Sequence, residues 1–329
     1  MAKGIEWESR IGRRLRLRDL HVLFAVVQSG TMSGAAGMLG VSQPVVSEAV
    51  ANLEAAVGVR LLDRSPRGVE PTLYGQALLR RGEIAFDELR QGIRDIEFLT
   101  DPAVGEVRIG CPESLAAGVL PPIIDRFSRQ YPRMRFQIAQ VNTLSTMLEF
   151  PDLRERKLDL VLARVVESFD EIEYADDLHV EKLIDDHLLI VAGARSPWSV
   201  RRKIKLADLA DASWIIPANS WNSLRVEEAF AAIGMKRPAV IVDTFSLALR
   251  KELLATGRFV SAIPASTLRH DAANDPLKVL PVRLPNKPWP VAMITLKNRT
   301  LNPAAQGFIA CARLAAQAMS LQSTRQRTS

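Results

Sequence analysis

The sequence has little of what redox and metal chemistry need. Only two cysteines and four histidines occur among 329 residues. Cys111 and Cys311 lie too far apart in the chain to read as a redox pair, and two thiols alone do not make a four-ligand zinc site. Buried, reduced thiols are the default expectation, with a sensor thiol at Cys111 as the alternative. His21, His179, His187 and His270 have no metal-ligand spacing, so no metal site is expected. No apolar stretch approaches the ~20 residues that span a bilayer. Met1 is followed by Lys3, Glu6 and Glu8 instead of a signal peptide's apolar core. These absences predict a cytoplasmic protein with no membrane segment. A phosphate-binding glycine loop, a G-x-S-x-G elbow and an H-E-x-x-H helix are also missing, which leaves no motif-placed catalytic residue and no cofactor.

What is present describes an ordinary globular chain, 47% hydrophobic and 24% charged, and too long for one core. The net charge of +6 says little about partners, because acids and bases nearly balance in the N-terminal third. Local arginine clusters say more. Arg10, Arg13, Arg14, Arg16 and Arg18 precede the first apolar helix, and Arg60, Arg64 and Arg67 follow the third. Such clusters suit phosphate contacts when they flank a DNA-reading element.

The stretch 17–78 supplies that element. Leu17, Leu20, Val22, Leu23, Phe24, Val26 and Val27 mark a helix stopped at Ser29 and Gly30. Thr31 or Ser33 caps a second helix, on which Ala35, Met38 and Leu39 share a face and small residues permit a close crossing. Gly40 sits where a left-handed residue is needed, and Ser42 is placed to cap the third helix, with Pro44 in its first turn. Val46, Val50, Leu53 and Val57 form the inward stripe of that helix, leaving Gln43, Pro44, Ser47, Glu48 and Ala51 outside. This is a helix-turn-helix with an amide and a hydroxyl at the tip that enters a major groove. The run 59–71, turning at Pro66, Arg67 and Gly68, predicts a hairpin wing with Arg67 at its tip, reaching the backbone or a minor groove.

Thr72 caps a long helix over 72–100. Leu79, Phe86, Leu89, Ile93 and Ile96 recur at helical spacing, with Gly75 and Gly82 on the same stripe. With no compact domain around it, a partner helix from a second subunit is its simplest cover. From 104 onward strands alternate with helices: strands near 107–111, 135–141, 158–162, 187–192, 214–216, 240–242, 260–263, 277–284 and 291–296. Helices are expected over 115–130, 144–157 with an interruption at Pro151, 224–233, 247–256 and 303–319. This predicts two α/β lobes with covering helices.

The residues Leu17 to Val27, Ala35, Ala36, Val41 to Pro44, Ser47, Leu53, Glu54, Leu61 to Arg64 and Thr72 to Leu78 together resemble the N-terminal domain of LysR-type transcriptional regulators. The later α/β pattern is similar to the two-lobed, periplasmic-binding-protein-like (type 2) effector domain of the same family. Basic residues frequent in that family are replaced here by Gly34, Glu48, Ala51 and Asn52. The expected fold class is therefore α plus α/β. It comprises a basic arm (1–16), a winged helix-turn-helix (17–75), a linker helix (72–100), an effector domain (104–319) and a polar tail (320–329). Lobe 1 is expected at about 104–180 and 265–319, and lobe 2 at about 181–264.

The DNA-binding candidates are Arg16, Arg18, Thr31, Ser33, Ser42, Gln43, Pro44, Ser47, Arg60, Arg64 and Arg67. Ligands of open α/β units sit at the carboxyl ends of strands, where helix N-termini favour anions. That rule selects Glu113, Ser114, Asn142, Thr143, Ser145 and Arg164 from the first lobe. From the second it selects Trp221, Asn222, Ser223, Thr244 and Ser246, with Asn219, Ser220 and Phe245 beside them. Hydroxyls and amides at these junctions also serve simply as helix caps. Arg164 could pair with a carboxylate ligand or with a neighbouring acid such as Glu167, and an organic acid is the first guess for the ligand. The resemblance implies a regulator that binds an inverted-repeat operator in double-stranded DNA and responds to a small metabolite. It further implies a homodimer through the linker helix, a homotetramer of two dimers, and contact with RNA polymerase if the protein activates. Two other classes stay open: a cytoplasmic metabolite-binding enzyme with a winged-helix docking domain, and a passive solute-binding protein.

Overall fold

The computed structural model describes residues 14–65, 68–141, 150–165, 176–268, 276–285 and 288–327. Most of the basic arm, Arg67 at the wing tip, Asn142, Thr143, Ser145 and Glu167 lie outside the described residues. The chain divides into two compact units, 1–90 and 91–329.

The first unit packs α1 (Leu17–Ser29), α2 (Met32–Leu39) and α3 (Gln43–Val57) around Leu20, Leu23, Val26, Ala35, Val46, Val50 and Leu53, all buried. Gly30 and Gly40 end α1 and α2 in the left-handed region, at φ 71° and 65°. Met38, expected on the inward face of α2, is exposed instead, because α1 and α3 bury only the face of this short helix that carries Met32, Ala35 and Ala36. Strands β1 (Leu62–Ser65) and β2 (Gly68–Pro71) pair antiparallel as a wing. Its first strand is tied to α3 by the Glu54 carboxylate, which accepts the Leu61 and Leu62 amides at 2.7 and 3.3 Å.

Helix α4 (Leu73–Thr100) is capped by Thr72, whose Oγ1 accepts the Gly75 amide at 3.1 Å. Gly75 lies so close to the wing that a Cβ there would stand 2.1 Å from the Leu61 carbonyl oxygen. The apolar stripe of α4 divides. Gly82 abuts Leu20 and Phe24, and Phe86 meets the Phe24 and His21 rings edge-on, so the chain's own α1 covers the first half. Leu89, Ile93, Ile96 and Leu99 remain exposed.

The second unit holds two five-stranded sheets. The first contains β3 (Val104–Cys111), β4 (Arg133–Gln140), β5 (Leu160–Arg164), β6 (Leu178–Asp186) and β12 (Trp289–Leu296), in the order β4-β3-β5-β12-β6. The second contains β7 (Leu188–Gly193), β8 (Ser213–Ile215), β9 (Val240–Val242), β10 (Phe259–Pro264) and β11 (Leu277–Val279), in the order β11-β7-β10-β8-β9. Both sheets are mixed: β3 pairs in parallel with β4 and β5, whereas β12 runs antiparallel to β5 and β6. Every residue of β5 is buried, because Leu160 and Leu162 face one core while Val161 and Ala163 face another.

Sheet membership corrects the lobe boundaries expected from sequence. Strand β6 belongs to the first lobe, so the first crossover comes at Asp186 and His187, not near 181. Strand β11 belongs to the second, so the return crossover follows Val279 instead of preceding 265. Element boundaries also differ. The helix expected over 115–130 is two, α5 (Glu113–Gly118) and α6 (Leu120–Gln130), because Pro121 and Pro122 fit the first turn of a helix and not its interior. Only α7 (Pro151–Arg154) is described from the helix expected over 144–157. In the second lobe α8 (Trp221–Ala232) starts three residues before expectation, capped by Ser220, and α9 (Leu247–Ala255) is capped by Ser246. The closing helix α10 (Pro303–Arg327) takes in most of the expected polar tail.

Candidate functional site

Two surfaces carry the candidate residues, one in each compact unit. In the first, α3 begins at Gln43 with Ser42 at its N-cap, and Gln43 and Pro44 are exposed while Ser47 is half-buried. The Ser42 hydroxyl makes no capping bond, contrary to expectation. With Pro44 in the first turn, one of the amides that a cap would serve is absent. Thr31 does cap α2, accepting from the Gly34 amide at 2.9 Å, so of Thr31 and Ser33 it is Ser33 whose hydroxyl stays outside the cap. Arg16, Arg18, Arg60 and Arg64 are all exposed, the first two at the start of α1, Arg60 before the wing and Arg64 on β1.

In the second unit, the two lobes face each other across a cavity of about 420 Å³. Of the candidates in the described residues, it is lined by Glu113, Ser114, Arg164, Ser220, Trp221, Asn222 and Phe245. Ser223, Thr244 and Ser246 do not line it. Their polar atoms serve local turns: the Ser223 amide donates to Ser220 Oγ, Thr244 Oγ1 accepts from the Ser246 amide, and Ser246 Oγ accepts from the Leu249 amide.

Arg164 pairs with an acid, one of the two partners expected of it, and that acid is Asp186. Its Nη2 meets the Asp186 carboxylate at 2.8 Å and its Nη1 donates to Ser114 Oγ at 2.8 Å, leaving Nε without a partner among the described residues. Asp186 sits at the first crossover, where it also accepts from the His187 and Ser266 amides and the Ser266 hydroxyl. Glu113 crosses between the lobes, its Oε1 accepting the Leu247 amide at the N-terminus of α9 at 2.9 Å. The carboxylate thus occupies the position where that helix end would favour an anion.

Sequence reasoning missed Arg250, which lines the cavity on α9 and is 3% exposed, with Nε and Nη1 unbonded among the described residues. Burial pushes its pKa below the usual guanidinium range, and the Glu113 charge works in the opposite direction. A signal existed: Leu247, Arg250 and Leu254 share the buried face of α9, so a cation holds a position whose spacing calls for an apolar residue. Pro112, Gln140, Val141 and Pro217 complete the missed lining and carry no comparable signal.

Among the described residues no cluster could hold a metal ion, and no single helix is long and apolar enough to cross a membrane. Cys111 and Cys311 are both free and buried, and burial pushes the Cys111 thiol up to about 12, which removes the thiolate that a sensor needs.

Comparison with known proteins assigns a family to each part of the chain. Residues 17–76 match the family model described as "Bacterial regulatory helix-turn-helix protein, lysR family", and residues 100–317 match the "LysR substrate binding domain". The HTH-type transcriptional regulator GalR of Pseudomonas putida is 29% identical over 297 residues, 90% of this chain and 73% of that one. Full-length OxyR from Pseudomonas aeruginosa shares the fold, with a TM-score of 0.60 at 20% identity over 92% of this chain and 95% of the other. So does full-length CbnR solved in complex with its target DNA, with a TM-score of 0.51 at 20% identity over 92% of this chain and all of the other. A winged helix-turn-helix joined to a two-lobed α/β domain, matched by both family models along nearly the whole length, makes this chain a member of the LysR family of DNA-binding transcriptional regulators.

Proposed function

We propose that the protein acts in the cytoplasm as a metabolite-responsive regulator of transcription, without an enzymatic activity of its own. Two copies pair through the exposed apolar stripe of α4 and present two α3 helices to an inverted-repeat operator. Gln43, Pro44 and Ser47 face the bases. Arg16, Arg18, Arg60, Arg64 and Arg67 grip the backbone, and Thr31, Ser33 and Ser42 contact phosphates. A small polar metabolite enters the interlobe cleft, where Glu113, Ser114, Arg164, Trp221 and Asn222 meet it, and biases the lobes. Two dimers associate as a tetramer, and the assembly touches RNA polymerase if it activates.

The observation that supports this reading best is the exposed amide of Gln43 at the leading end of α3, beside a Ser42 hydroxyl free of capping duty. The test is footprinting on the DNA upstream of the gene and its neighbours. The wild-type chain should protect a discrete inverted repeat. Gln43→Ala with Ser47→Ala should weaken that site by roughly 1–3 kcal/mol per lost base contact and leave salt-sensitive, non-selective binding in place. An unchanged footprint in the double variant overturns the assignment of α3 as the reader. Turnover of a metabolite by a protein that leaves DNA alone would instead support an enzyme with a docking module.

A further inference from the structure

The cleft holds two guanidinium groups in different electrical states. Arg164 is compensated by Asp186 at 2.8 Å. Arg250 has no such direct partner: it is 3% exposed, and its Nε and Nη1 have no acceptor among the described residues. The Glu113 charge favours its ionised form, but Glu113 Oε1 takes the Leu247 amide instead. A buried cation with unmet N–H groups is unfavourable, and an incoming anion that reached those groups would relieve it. The remaining walls are mostly apolar, with Pro112, Val141, Pro217, Trp221 and Phe245 around the cavity.

Resting on the reading of this cleft as the effector site, we infer that the effector is a monocarboxylate with an apolar or aromatic body. Arg250 receives the carboxylate, and the body lies against Trp221 and Phe245. Glu113 makes the site selective, because a second carboxylate would meet its charge while Asp186 keeps Arg164 occupied. A dicarboxylate of similar size is therefore rejected, and an uncharged amide leaves Arg250 unpaired.

The experiment is calorimetry on the full-length protein with phenylacetate, benzoate and hexanoate as monocarboxylate probes, phenylacetamide as the neutral analogue and phenylmalonate as the dianion. At least one monocarboxylate should bind, and for phenylacetate the amide should be weaker by roughly tenfold or more, with phenylmalonate weaker as well. Arg250→Met should abolish the preference for the carboxylate, and Arg250→Lys should restore part of it. Glu113→Gln keeps an oxygen for the Leu247 amide and should narrow the gap between phenylmalonate and phenylacetate. If the Met variant does not fold, the Lys variant and the amide comparison decide. Equal binding of acid and amide, or no binding of any monocarboxylate, overturns the inference. Trp221 fluorescence, isolated against Trp221→Phe, separates the two levels. A neutral compound that perturbs it when no carboxylate binds removes the monocarboxylate class and keeps the cleft. A carboxylate that binds without disturbing Trp221 and without needing Arg250 removes the cleft reading itself.

Discussion

Asp186 and Arg164 form a buried ion pair, 2.8 Å from carboxylate oxygen to Nη2, at the point where the chain passes from one lobe to the other. The same carboxylate takes three further bonds, from the His187 and Ser266 amides and the Ser266 hydroxyl. It therefore fixes the first crossover against the segment that follows β10. Asp186→Ala leaves a buried guanidinium and two amides without their acceptor. It should cost about 3–5 kcal/mol in urea denaturation. Asp186→Leu combined with Arg164→Met should cost less than Asp186→Ala alone, because no charge is then stranded.

Gly75 offers a sharper steric test. An added Cβ would stand 2.1 Å from the Leu61 carbonyl oxygen, so Gly75→Ala forces α4 and the wing apart. The expected loss is about 1–3 kcal/mol, even though alanine is the better helix former. Weaker DNA binding should accompany it. Gly92→Ala, on the same helix with nothing near the added atom, serves as the control and should be neutral or stabilising.

Ile93 and Ile96 are 58% and 65% exposed on the second half of α4. In a lone chain, replacing them with glutamate should hardly change thermal stability. If α4 is the dimer seam, Ile93→Glu with Ile96→Glu buries charge at that seam and should shift sedimentation from dimer to monomer, with loss of the inverted-repeat footprint. A double variant that sediments like wild type removes α4 as the interface.

Cys111 should behave as an inert core residue. With its pKa pushed up to about 12 by burial, it stays protonated at neutral pH, so alkylation should be slow in the native protein and fast in denaturant. The raised value also carries a pH signature. Its contribution to stability is fully present below the ordinary thiol range and is lost as pH rises from there toward about 12. Cys111→Ala should flatten that alkaline decline in a pH series of denaturation curves, and operator binding should not change under mild peroxide.

The helix-turn-helix was legible because Gly30, Gly40 and Pro44 punctuate three strongly periodic segments, and each local choice agrees with the packing. Strand β6 was not. Its pairing with β12 slips between Val291 and Ala292, so Leu183 is an extra residue and the apolar alternation from Leu178 and Val180 breaks before Ile184. The division of the α4 stripe was hidden because periodicity marks a face for burial without saying what covers it. In the cleft, junction chemistry found Glu113, Arg164 and Trp221 but could not separate hydroxyls that face a cavity from those that close a turn, as Ser246 and Thr244 do. Arg250 was hidden because it lies inside a helix, beyond the strand ends where ligands of open α/β units gather.

Strand β12 lies between β5 and β6, although all of the second lobe is synthesised before it. A growing chain on the ribosome must therefore hold two open sheet edges in waiting until Trp289 to Leu296 emerge. Fragments halted upstream of Trp289 keep those edges bare and are marked for aggregation or proteolysis. Nonsense mutations there should behave as complete losses and should not release a free DNA-binding competitor joined to a half-finished lobe.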